Sequence, residues 1–266
     1  MIKDITLGQY YPARSVIHRL DPRIKVVATF LFIIELFVVK SFVGFAVCAL
    51  ALCIVVQISK VPISFIFKGL KPVLLILIFT FCLNIFMVDG RILYRIGPLR
   101  ITDAGVYTAL FMAVRLVLLI MGSSILTLTT TPIKLTDAME KLMAPLAKFG
   151  LPAHDIAMMM AIALRFIPTL MEETDKIIKA QQARGADFES GNIVARAKSL
   201  IPVLVPLFVS AFRIAQDLAM AMEARCYRGG RGRTSLHRME FNRTDYIAVV
   251  AILLFFILII LERVLL

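Results

Sequence analysis

The feature that most restricts this chain is a series of apolar runs of bilayer length: Val26–Val39, Phe42–Ile58, Phe67–Val88, Val106–Thr131 and Tyr246–Leu261. A helix of about 17 residues, rising about 1.5 Å per residue, covers roughly 26 Å of a hydrocarbon core about 30 Å thick. The second run is therefore sufficient, the third and fourth have length to spare, and the first needs flanking residues to fill the core. Pro72, following Lys68 and Lys71, sets the start of the third span and leaves the preceding turns at the interface. Composition agrees: 60% of residues are hydrophobic, 18% are charged and the mean hydropathy is +0.88. An ordinary soluble domain carries about 45–50% apolar and about 25% charged residues. The expected fold class is an all-α polytopic membrane protein with about five transmembrane helices.

The same chain carries a formal charge of +12, and the distribution of its basic residues suggests an orientation. Residues 1–25 hold Lys3, Arg14, Arg19, Arg23 and Lys25; Lys60, Lys68 and Lys71 flank spans two and three; the region 132–245 is rich in Lys and Arg. The positive-inside rule then puts the N-terminus, these lysines and the long region in the cytoplasm, and the C-terminus outside. Arg91, Arg95 and Arg100 fall outside in this arrangement and count against it. No apolar run precedes the basic N-terminus, so a cleaved signal peptide is not expected and the first run should stay as an anchor.

Residues 132–245 are long, basic and helical in pattern. Pro132–Leu151 places Leu135, Met139, Leu142, Met143 and Leu146 at helical spacing against charged residues, the pattern of an amphipathic interfacial helix. A second helix is expected from about Asp155 to Ala183 and a third from about Ile193 to Ala224. Charged faces and internal prolines favour, over spans, long helices that are part docked on the membrane-embedded bundle and part projecting into the cytoplasm. A seven-span arrangement remains open, because two added spans leave both termini on the same sides. The expected organisation is an N-terminal membrane domain (1–131, four spans), a cytoplasmic and interfacial coupling-helix region (132–245) and a C-terminal span (246–266) packed on the membrane domain.

Several chemistries are excluded or disfavoured. Cys48, Cys53, Cys82 and Cys226 show no Cys-x-x-Cys spacing, and His18, His154 and His237 share no ligand spacing, so neither a disulfide framework nor a metal site is expected. The Gly-x-x-x-x-Gly-Lys-[Ser/Thr] pattern occurs nowhere, and no catalytic triad or carboxylate pair can be assembled. The chain is therefore expected to be non-catalytic and to hold no cofactor. The arginines between 225 and 243 suit anionic lipid headgroups, since adjacent spans hold them at a membrane surface; nucleic acid is not an expected partner. Glu35 and Arg115 lie within spans, where an unpaired charge costs about 2.5–3.5 kcal/mol on insertion scales, and a Glu35–Arg115 contact is expected.

One local pattern occurs at two expected helix ends: Gln182-Ala183-Arg184-Gly185 and Glu223-Ala224-Arg225-Cys226. A small Ala permits close approach of a partner, Arg offers a planar fork of donors to a carboxylate, and Gly185 can close a helix in the left-handed conformation. These segments resemble the paired Ala-Arg-Gly signatures of the transmembrane T component of energy-coupling-factor (ECF) transporters, the EcfT/CbiQ type. The resemblance continues in Ser15 to Lys25, which is similar to the family's His-Arg-Leu-Asp-Pro-Arg-x-Lys stretch before its first span, and in Leu164-Arg165-Phe166-Ile167-Pro168 and Ala221 to Arg225. The match runs nearly end to end, with its signatures in order. Cys226 departs from the usual Gly or Ser, and the third helix is expected to continue to Gly229-Gly230 instead of stopping there.

The resemblance implies a scaffold in the plasma membrane of a prokaryote. It joins two ABC-type ATPase subunits, which bind the ATP, to a small membrane substrate-binding S component that chooses a vitamin or transition-metal ion. It further implies ATPase docking by Ala183, Arg184, Gly185, Ala224, Arg225 and Cys226. The alternative is a self-contained secondary transporter, which would need ionisable or broken-helix sites at mid-membrane; an integral-membrane enzyme would need clustered His, Asp or Glu.

Overall fold

The computed structural model describes residues 10–96, 99–150, 152–186, 188, 192, 194, 198–229 and 241–265. Lipid offers the backbone no hydrogen-bond partner, so long apolar segments must satisfy their own N–H and C=O groups as helices. The order is α1 (Val16–Arg19), α2 (Pro22–Val38), α3 (Phe42–Ser59), α4 (Ile63–Leu70), a 3-10 turn at Lys71–Val73, α5 (Leu74–Met87), β1 (Ile92–Ile96), β2 (Leu99–Thr102), α6 (Asp103–Thr129), α7 (Pro132–Met143), a 3-10 turn at Ala144–Phe149, α8 (Ala153–Ala183), α9 (Ile201–Ala224) and α10 (Arg243–Leu265). The all-α membrane class is what the structure shows, apart from the hairpin of β1 and β2. These strands pair antiparallel with Ile92 opposite Thr102, where no regular element was expected.

Among the described residues, six stretches are long and apolar enough to cross a bilayer: Phe42–Ser59, Ile63–Met87, Asp103–Thr129, Ala153–Ala183, Ile201–Ala224 and Arg243–Val264. Four correspond to expected spans two to five. The expected first span falls on α2, whose 17 residues cover roughly 26 Å. α8 and α9, expected as coupling helices, also meet the length and composition of a span, although they are the least apolar of the six. Length and composition therefore admit both helices as well.

The chain forms two compact units. One comprises residues 8–138 and 238–266, the other residues 139–237 together with 1–7. In the first, α6 packs on α2, α3, α4 and α5, and α10 packs on α2 and α3. Its apolar core includes Leu36, Phe45, Cys48, Leu52, Ile66, Leu118, Leu128 and Ile259.

The helix ends of this unit are tied by buried polar groups. Asp21 caps α2 by accepting from the Arg23 N–H at 2.8 Å, and Pro22 fills the first helical position, where a missing N–H costs nothing. The Asp21 N–H donates to Asp245 Oδ1 at 2.9 Å, and the Asn242 N–H donates to Asp245 Oδ2 at 2.8 Å, so the start of α10 is fastened to the start of α2. Lys25 Nζ, on a residue 8% exposed, donates to the Thr129 carbonyl at 3.0 Å and to the His18 carbonyl at 3.4 Å. It thus closes the C-terminus of α6, where a cation suits the helix dipole. His18 Nε2 donates to the Tyr11 carbonyl at 3.0 Å while Nδ1 meets the Ser15 hydroxyl at 2.7 Å; burial holds its pKa below the ordinary value despite the carbonyl bond. At the other end of α10, Glu262 accepts from the Ser41 hydroxyl, which also caps α3.

Lys25→Met keeps most of the apolar stem but leaves the Thr129 carbonyl without its buried donor. It should destabilise the protein by about 1–3 kcal/mol, read as a lowered thermal unfolding midpoint in detergent; an unchanged midpoint would remove Lys25 from the fastening.

Candidate docking ends of the coupling helices

α8 and α9 pack against one another within the second unit. Gln181 Nε2 donates to the Pro202 carbonyl at 3.3 Å, and the Tyr227 hydroxyl donates to Met158 Sδ at 3.1 Å. The last turn of α8 therefore lies beside the first turn of α9, and the end of α9 lies beside the start of α8: the pair is antiparallel. Pro168 and Pro206 lie inside the two helices, and Pro202 occupies the first turn of α9, where it is tolerated.

The two ends carrying the repeated motif have the same backbone. In α8, Ala183 is the last helical residue, Arg184 is the C-cap at φ −87° and ψ 5°, and Gly185 is left-handed at φ 88°. The Ala186 N–H donates to the Gln181 carbonyl at 3.0 Å and the Gly185 N–H to the Gln182 carbonyl at 2.9 Å. In α9, Ala224 is last, Arg225 is the C-cap at φ −92° and ψ 15°, and Cys226 is left-handed at φ 54°. The Tyr227 N–H donates to the Met222 carbonyl at 3.0 Å and the Cys226 N–H to the Glu223 carbonyl at 2.8 Å. Both ends are Schellman motifs, with the crossed bonds that satisfy orphan carbonyls. The expectation that the helix continues to Gly229-Gly230 is corrected: it stops at Ala224, and Cys226 takes the position that Gly185 takes in α8. A non-glycine residue there costs roughly 1–2 kcal/mol, which the two crossed bonds offset.

Ala183, Arg184, Gly185, Ala224, Arg225 and Cys226 are all exposed. Neither guanidinium makes a hydrogen bond or ion pair among the described residues. Each Arg is thus held by its backbone cap while its fork of donors is free to meet a planar acceptor. Because the helices are antiparallel, the two forks are separated by about the length of α9, whose 24 residues span about 36 Å. Another polar link in this unit joins Glu140 Oε1 to His154 Nδ1 at 2.8 Å, across the 3-10 turn that precedes α8. Of the basic stretch expected to meet lipid headgroups, Arg231, Arg233 and Arg238 lie outside the described residues.

The expected Glu35–Arg115 contact is not formed. Arg115 Nη2 donates to the Val39 carbonyl at 3.2 Å, and its guanidinium lies over Phe111, Phe37 and Phe45, 5.0, 5.4 and 5.8 Å from their centroids. The partial negative charge at the C-terminus of α2 and three ring faces replace the carboxylate. Glu35, 1% exposed, keeps an Oε1 with no hydrogen-bond partner. For the fastening residues Asp21, Lys25 and Asp245 the sequence offers only a local signal, the Asp21-Pro22 cap at the start of α2, because the partner of Asp21 lies 224 positions away. No cluster of metal-binding side chains occurs among the described residues.

These features define a class: a helical polytopic membrane protein with an antiparallel helix pair, both members of which end in an exposed Ala-Arg cap. The CbiQ family model, described as cobalt transport protein, matches residues 13–236. Proteins named energy-coupling factor transporter transmembrane protein EcfT are similar throughout. That of Thermosediminibacter oceani is 55% identical over 250 residues, covering 94% of both chains. That of Clostridium kluyveri is 53% identical over 99% of this chain and 98% of its own, and that of Bacillus subtilis is 48% identical over 97% and 99%. The chain belongs to the CbiQ family, as a transmembrane component of the ECF-transporter type.

The matched caps make opposite predictions for glycine. Cys226→Gly should stabilise the end of α9 and Gly185→Ala should weaken the end of α8, each by about 1 kcal/mol. Amide hydrogen exchange at residues 226–227 and 185–186 reads both; equal exchange in variant and parent would contradict the left-handed assignment.

Proposed function

We propose that this chain is the non-catalytic coupling scaffold of an ATP-driven importer. In this reading Arg184 and Arg225 dock two ABC-type ATPase subunits, and the membrane helices hold a substrate-binding S component that selects a vitamin or transition-metal ion. One observation carries the proposal: two helix ends of matching cap geometry present exposed arginines without partners among the described residues. A pair of similar ATPases offers two similar acidic grooves, and the two forks, about 36 Å apart along α9, engage one groove each. Closure of the pair on ATP moves the two ends relative to one another, and stiff packed helices pass the movement on.

The antiparallel pairing gives this reading a topological consequence. If α8 and α9 each crossed the bilayer, Arg184 and Arg225 would lie on opposite faces. Docking of both on cytoplasmic ATPases therefore requires the helix pair to lie along the cytoplasmic side, despite its apolar composition. That selects the five-span arrangement over seven, with the N-terminus in the cytoplasm of a prokaryote and the C-terminus outside.

Truncating one partner of a buried, hydrogen-bonded charge pair costs about 2–5 kcal/mol. The double variant Arg184→Ala/Arg225→Ala should therefore lose co-purifying ATPases and substrate uptake, and Arg→Lys at both sites should be intermediate, because a point charge cannot reproduce the fork. Unimpaired assembly and uptake in the double alanine variant would remove these arginines from the mechanism.

A further inference from the structure

The membrane unit contains a crevice of about 340 Å³ between α2, α3, α6 and α10, within the range of about 300–1,000 Å³ typical of small-molecule sites. Its α2 wall is formed by Ala28, Thr29, Phe32 and Glu35, spaced along one helical face. Gly122 lies opposite; a Cβ there would come within 2.6 Å of the Phe32 ring, so the glycine is what lets that ring seat against α6. Phe255 completes the apolar lining from α10.

Glu35 is the one ionisable residue among those lining the crevice. It is 99% buried, being 1% exposed, and its Oε1 has no hydrogen-bond partner. A buried carboxyl oxygen without a donor is costly, and mutually satisfied pairs are the rule. The cation expected to pair with it, Arg115, is bound instead to the Val39 carbonyl and three aromatic rings. Glu35 also lies close to the end of α2 at Val38, and Ala28 lies two turns deeper, about 10 Å along the helix. The crevice thus offers an acceptor near the helix end and an apolar channel leading from it toward mid-membrane.

We propose that this crevice binds an amphiphile bearing a primary amine, the amine donating to the Glu35 carboxyl and the hydrocarbon chain lying along Phe32, Thr29 and Ala28. The amine supplies the N–H donors and positive charge that Glu35 lacks, and the chain fills a wall that offers almost no other polar group. Two sources carry this chemistry: the ethanolamine headgroup of a membrane lipid and a single-chain alkylamine. The inference does not depend on ATPase docking, since every residue it uses belongs to the other compact unit.

The test is native mass spectrometry of the full-length protein released from nanodiscs, comparing chain-matched phosphatidylethanolamine, phosphatidylcholine and phosphatidylglycerol. Phosphatidylcholine has the positive charge but no N–H, and phosphatidylglycerol has neither. The ethanolamine lipid should be retained about tenfold more than the other two, as expected for one charge-assisted hydrogen bond. Glu35→Gln should remove that preference. Ala51→Leu, which fills the crevice while leaving the carboxyl in place, should do the same. Added dodecylamine that binds in a Glu35-dependent way, where the ethanolamine lipid is not retained, would assign the site to single-chain amines. Equal retention of all three lipids with no Glu35-dependent dodecylamine binding, or an amine preference that survives both substitutions, would overturn the proposal.

Discussion

The antiparallel packing of α8 on α9, tied by Gln181 to Pro202 at one end and by Tyr227 to Met158 at the other, decides what the repeated arginine motif can do. Two copies of a C-terminal cap on parallel helices would lie side by side and form one patch. On antiparallel helices they lie at opposite ends of the pair and form two separate donor sites. The caps themselves are rigid. The crossed backbone bonds at residues 185–186 and 226–227 fix where each chain turns, while the side chain of the cap residue stays exposed.

The membrane unit uses the same economy at its own helix ends. A helix terminus leaves about four backbone groups unsatisfied, and near a bilayer water is a poor remedy for those that face the protein. Asp21, Lys25, Asp245 and Ser41 close these ends while joining elements far apart in the chain: α10 to α2 through Asp245, α6 to α2 through Lys25, and α10 to α3 through Glu262 and Ser41. The Ser15 to Lys25 stretch, read in the sequence as a family signature, is thus in physical terms the fastening of α1, α2, α6 and α10. Its position at the start of the first membrane helix follows from the need to close several helix ends at one level.

Spans two to five could be read from the chain because lipid imposes a continuous apolar run of known length, and such a run needs no long-range partner. What could not be read depended on partners distant in sequence or on a locally unfavourable conformation. Cys226 argued for a helix running on, since glycine is the usual left-handed residue; the crossed backbone bonds of the cap put a cysteine there instead. Glu35 and Arg115 invited pairing because each is a charge in a span, yet the Val39 carbonyl at the end of α2 and three phenylalanine rings took the arginine. The apolar content of α8 and α9 shows the limit of composition: both satisfy the length and polarity of a span, and an antiparallel pair carries both arginine ends on one side of the membrane only when it lies along that side, as the proposed docking requires.

That placement is the central claim, and sidedness tests it most directly. Single cysteines at positions 184 and 225, in a background with Cys48, Cys53 and Cys82 replaced by alanine and Cys226 by glycine, can be probed with a membrane-impermeant maleimide in right-side-out and inside-out vesicles. Both positions should react only in inside-out vesicles, where the cytoplasmic face is exposed. Reaction of one position in each vesicle type would place the two arginine ends on opposite faces, make α8 and α9 membrane spans, and contradict docking of both arginines on cytoplasmic ATPases.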